Sequence, residues 1–156
     1  MRNKQFVAIH RGGELSKINH KKLIGWARTC SNHVLSLLDE KVDSRLINAL
    51  KIAEEWENDC VTTGIAIKAS LEAHKLARES KNPITIAVAR SVGQAVATAH
   101  MADHCLGAAL YALKAVKLSG KSVDEEKEWQ LKQLRELSDE IKNLILNALA
   151  EKSVRI

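Results

Sequence analysis

From residue 16 onward the apolar positions recur at three- and four-residue steps, the spacing of one face of a helix. Leu23, Ala27, Cys30, Val34 and Leu37 predict a first helix from Ser16 or Asn19 to about Asp39, with Trp26 and His33 beside its stripe. Asp43 is the natural N-cap of a second helix that runs to about Asn58 and buries Leu46, Ile47, Leu50, Ala53 and Trp56. Ala66, Ala69, Ala73 and Ala77 mark a third, from about Thr63 to Ser80. The stretch 83–118 differs in kind, being apolar around most of its circumference, with Asn82 as cap and Pro83 in the first helical position. Gly93, Ala97, His100, His104, Gly107 and Tyr111 fall on one narrow stripe of it, and Val92, Val96, Ala99, Leu106, Leu110 and Leu113 on a second. A helix of that kind is surrounded by other helices. Its length favours a kink or short break, which the sequence places near Gly93. Ser122-Val-Asp-Glu125 reads as a capping box for a last helix that continues to about Glu151 and carries Leu131, Leu134, Leu137, Ile141, Leu144, Ile145, Ala148 and Leu149. The expected fold is all-α: a single-domain bundle of about five helices over residues 15–156, built around the Ala/Gly-rich helix 83–118. An N-terminal arm, residues 1–14, precedes it, with a short extended piece at Gln5–Ile9 and Gly12-Gly13 as punctuation.

Composition supports helices over sheet. Aromatic residues are only 3% of the chain and there is one proline, so the core must be aliphatic and rich in alanine. At 156 residues one such core can be built. Charge is polarised. Residues 1–33 hold Arg2, Lys4, Arg11, Lys17, Lys21, Lys22 and Arg28 against Glu14, a net of +6, while the rest of the chain sums to −1. A basic quarter suits an acidic partner or simply a solvated surface. Only Phe6 and Trp26 interleave with those charges, too little stacking surface for nucleic acid to be expected. Cys30, Cys60 and Cys105 are odd in number and widely spaced, which points to a reducing compartment rather than a disulfide frame. The first residues contain too short an apolar run for a signal peptide, and no apolar run of about 20 residues spans a membrane, so a cytoplasmic protein is expected.

Candidate chemistry centres on the histidines of the long helix. His100 and His104 stand one turn apart, the spacing that lets two imidazoles meet one metal, and His74 could approach from the third helix. Asp103 lies on the neighbouring stripe. No metalloprotease or di-iron spacing accompanies them. The favoured reading is a buried polar cluster of His74, Thr98, His100, Asp103, His104 and Tyr111; the alternative is a metal- or small-ligand site at His74, His100 and His104, with or without catalysis. Cys105 adjoins His104, but neighbours on a helix point about 100° apart and cannot act as a pair. No phosphate loop, nucleophile elbow or dinucleotide fingerprint is present, so neither a catalytic set nor a cofactor is expected. Trp26, Arg45, Trp56 and Trp129 are candidates for a partner surface, the tryptophans competing with a core role. Asp124, Glu125, Glu126, Glu128, Glu136, Asp139 and Glu140 form an acidic face that is solvated or meets a basic partner. The breadth of the last helix's apolar face raises the expectation of a homodimer.

A resemblance adds what the residues alone do not. The run Ala95-Val-Ala-Thr98-Ala-His100-Met-Ala-Asp103-His104-Cys-Leu-Gly107-Ala-Ala-Leu-Tyr111-Ala-Leu-Lys114-Ala115 resembles the signature of a bacterial helical family of immunity proteins associated with polymorphic toxin systems. Trp26-Ala-x-x-Cys30-x-x-x-Val34-Leu35, Arg45-x-x-x-Ala49 leading to Trp56, Ala73-His74-x-x-Ala77 and Glu128-Trp129-Gln130 agree with it. The family's usual proline-rich approach to its second helix is missing from Val42-Asp43-Ser44-Arg45, and the arm to Gly13 matches none of its motifs. The resemblance implies an antidote that binds and blocks a cognate protein toxin, not an enzyme. It brings no catalytic residues, and the motif positions are carried over as structural determinants.

Overall fold

Among the described residues the alanine- and leucine-rich periodicities fold into seven α-helices: α1 (Lys17–His33), α2 (Ser44–Glu57), α3 (Thr63–Glu79), α4 (Pro83–Ala97), α5 (His104–Leu118), α6 (Val123–Lys132) and α7 (Asp139–Ser153). The computed structural model describes residues 3–39, 41–135 and 137–153; Arg2 and Glu136 lie outside them. Among the described residues the only β-type pairing is an isolated bridge between Ala8 and Leu15.

Most helix starts follow from local side-chain chemistry. Ser16, Asp43, Thr62, Asn82 and Ser122 each accept a backbone N–H of the following turn, which satisfies one of the donors that a helix N-terminus leaves over. Asp43 also grips Arg45 through two further bonds of 3.0 and 3.1 Å. That pairing closes the start of α2 without the prolines.

Four elements depart from the sequence reading. The rod expected over 83–118 is two helices, and the break lies at Thr98–Asp103 rather than at Gly93, which sits in regular α4. Thr98 turns its hydroxyl back to the Gln94 carbonyl at 3.0 Å, and the chain tightens into three-residue turns (Ala99 N to Val96 O, His100 N to Ala97 O). The last helix is likewise interrupted after Lys132, and Leu134 and Leu137 turn inward from the connection. Among the described residues seven helices therefore replace about five. The first helix stops at His33 and is followed by a 3-10 turn, Leu35–Leu37. Finally, the arm is not extended at Gln5–Ile9. It makes 3-10 turns at Lys4–Phe6 and Ile9–Arg11 and folds back so that Leu15 N reaches Val7 O and Ile9 N reaches Leu15 O. Gly13 permits this, since a Cβ there would collide with the Val7 carbonyl.

Two apolar clusters result. One is formed by the alanines of α2 and α3 with Val88, Val92 and Val96 of α4 and the C-terminal half of α5. The other joins Phe6 and Leu15 of the arm to Leu23, Trp26 and Cys30 of α1, Cys105 and Leu106 of α5, and Ile141, Ile145 and Leu149 of α7. Helices α1, α4 and α5 supply residues to both clusters and form the shared wall. Because the facing residues are alanine and glycine, backbones approach closely and hydroxyls reach across. Ser70 donates to Gly93 O at 3.0 Å, and Ser91 donates to Ala108 O at 2.7 Å while accepting from Ser31.

Candidate functional site

The polar residues of the central motif divide into two groups on either side of the α4–α5 break. The first lies between α3, α4 and α5. His74 Nδ1 accepts from Arg90 Nη1 at 2.8 Å, and its ring covers Gly93 so closely that a Cβ there would sit 2.7 Å from Nε2. His104, the first residue of α5, donates from Nδ1 to Gln94 Oε1 at 2.7 Å, and the Gln94 side chain lies over Gly107 with as little room. Burial, then the charges of Arg90, Arg78 and His104, depress the His74 pKa to about 4, so the ring is neutral and an acceptor at pH 7. Gln94 and Arg90 are partners that the sequence reading did not name. The signal for them was a lone polar and a lone charged residue inside an otherwise apolar run.

The second group lies beneath the break. Turning out of helical geometry frees the Thr98 carbonyl, and His20 of α1 donates Nε2–H to it at 2.6 Å. Burial lowers the His20 pKa; the bond to Thr98 opposes this, and His10 and Arg11 of the arm act with the burial. Neutral His20 thus offers Nδ1 as an acceptor. Its ring packs at 4.8 Å and 54° against Trp56, whose indole N–H donates to Thr63 Oγ1 at 3.1 Å.

His20 and Trp56 line a cleft of about 810 Å³. The arm contributes Ile9, His10 and Arg11 to it, α1 contributes Lys17, the α2–α3 loop Asp59 and Val61, and the α4–α5 turn Ala99 and His100. Asp59 holds a positive φ of 61°. Bonds to Lys21 first, then Lys17, keep its carboxyl below the usual range.

The structure therefore separates residues that the sequence placed on one stripe. His100 stands in the turn and lines the cleft, while His104 is engaged with Gln94. Thr98 is fully buried; Asp103 and Tyr111 are half-buried. Among the described residues no three His, Cys, Asp or Glu side chains gather as a metal site. Trp26 is 4% exposed and donates its indole N–H to Gln130 O at 2.8 Å. Trp129 stacks on His33 with ring centroids 3.5 Å apart, and His33 Nδ1 lies 2.6 Å from Glu126 Oε2. Arg45 is held by Asp43 and by Glu79 of α3 at 3.1 Å. Among the described residues no helix is long and apolar enough to cross a membrane.

No curated protein and no solved structure matches the chain. The sequence model of one family does, over residues 13–137, which takes in every helix from α1 to α6 and the whole motif on both sides of the break. The chain belongs to the family described as Imm-5 like putative immunity protein.

Proposed function

We propose that this protein is an antidote that binds a cognate bacterial protein toxin in the cytoplasm and neutralises it by covering its working surface, without catalysis of its own and without a cofactor. The observation that carries this reading is the family match over residues 13–137. The geometry supports it from another side. The motif's polar side chains are engaged with their own neighbours, His74 with Arg90 and His104 with Gln94, as scaffolding would be. Recognition is then left to outer surfaces such as the cleft of about 810 Å³ beside the arm. The alternative, a metal or small ligand held by His74, His100 and His104, has less support, because His74 is bonded to Arg90 and His104 to Gln94 while His100 stands in the break and lines the cleft. A homodimer built on the last helix also has less to draw on. Ile141, Leu144, Ile145 and Leu149 pack inward and leave Leu146 exposed. Co-expression with candidate toxins of the producing bacterium, read as growth rescue and as co-purification, tests the proposal. Rescue by a protein that co-purifies with the chain is expected, and failure against every candidate removes it.

A further inference from the structure

We propose that the cleft between the N-terminal arm, the start of α1 and the α4–α5 turn is the docking site for an acidic, partly apolar segment of the partner polypeptide. The inference rests on the reading of the chain as a protein-binding antidote and adds to it a place and a chemistry.

The cleft's volume of about 810 Å³ lies within the range of sites that enclose a ligand rather than merely touch one. Its fixed charges are Arg11, Lys17 and Asp59, and Asp59 is already neutralised by Lys17 and Lys21. Among the described residues lining the cleft, the guanidinium of Arg11 is therefore the cation left to meet an incoming carboxylate, which it can hold through two parallel bonds. Apolar surface lies beside it. Ile9 is 62% exposed on the arm, with Val61 and Ala99 across the cleft. His20 Nδ1 is an acceptor with no hydrogen-bond partner among the described residues, suited to a backbone N–H of an entering segment. A nucleic acid fits less well. Trp56 is the cleft's one aromatic residue of base-stacking size, and it already packs against His20.

The division of labour between wall and floor is informative. The family match begins at residue 13, so Leu15, His20, Trp56 and His100 fall inside it while Ile9, His10 and Arg11 fall outside. A floor inside the family model and a wall outside it is the arrangement expected where related antidotes must each select their own partner.

The test uses the full chain and two kinds of probe. A labelled peptide rich in Glu and Leu, its Lys/Leu counterpart and a single-stranded oligonucleotide are titrated against wild type and against Arg11→Glu, Ile9→Glu and, as a charge control at the far end of α5, Lys117→Glu. The acidic peptide is expected to bind, to shift the His20 and Trp56 resonances, to lose about tenfold or more in affinity in both arm variants, and to be unaffected by Lys117→Glu. Equal binding of the basic peptide or the oligonucleotide, or equal loss in Lys117→Glu, overturns the proposal. With a neutralised toxin in hand, undiminished binding by Arg11→Glu and Ile9→Glu overturns the cleft and leaves the antidote function standing. If no toxin binds the wild type while the acidic peptide still docks at His20, the function falls and the cleft stands.

Discussion

Gly93 and Gly107 are small because of what lies over them. At Gly93 three atoms of the His74 ring would come within 2.9 Å of a Cβ, and the ring is held from its other side by Arg90. At Gly107 the obstacle is the side chain of Gln94, which has more freedom to turn. Alanine improves helix propensity by about 1 kcal/mol over glycine, and overpacking costs about 1–3 kcal/mol, so crowding decides the sign at Gly93. Urea unfolding should rank Gly93→Ala as clearly destabilised and Gly107→Ala as less so. Adding His74→Ala to Gly93→Ala should recover stability relative to the sum of the single changes; strict additivity would show that the ring does not set the limit. His74 also makes a pH prediction. Its folded pKa of about 4 lies below the ordinary 6.5, so the unfolded chain binds the proton first. Its contribution is then fully present above about pH 6.5 and is lost as pH falls towards 4, with Arg90, Arg78 and His104 the charges that oppose protonation. His20 acts in the same direction. The thermal midpoint should fall across that window, and His74→Gln should flatten the fall.

Between helices the decisive feature is the turn Thr98–Asp103. Neither Gly nor Pro marks it, and hydrophobic periodicity runs through it, which is why the sequence reads one rod. The long-range partner is what stabilises it, since His20, 78 residues away, takes the carbonyl that the break releases. His20→Phe should leave that buried oxygen without a donor and cost about 1–3 kcal/mol. Hydrogen exchange should quicken at residues 98–103 more than in α3 or α5; unchanged protection there would show that the bond does not hold the turn. Ser91 plays the matching role between α4 and α5, and Ser91→Ala should cost about 1–2 kcal/mol through the orphaned Ser31 hydroxyl.

For the molecule as a whole, the two apolar clusters share α1, α4 and α5, and the cysteines report on them. Cys30 and Cys105 are buried in the cluster that the arm and α7 close, and burial raises both thiols far above their ordinary value. Cys60 is exposed beyond the end of α2. A thiol reagent should therefore titrate one group quickly in the native protein and all three only after unfolding. A second fast thiol would show that the wall formed by the arm and α7 opens readily.

Legible from the sequence were the helical class, the caps at Asp43, Asn82 and Ser122, the alanine faces of α2 and α3, and the family, because each is written in residues close together along the chain. Tertiary structure alone decided where the central rod breaks, that His100 and His104 serve different sites, that Gln94 and His20 are the partners of the motif, and that the arm walls a cleft. Those outcomes depend on hydrogen bonds and packing between residues far apart in sequence, and a helical period is blind to a carbonyl that a distant imidazole can satisfy.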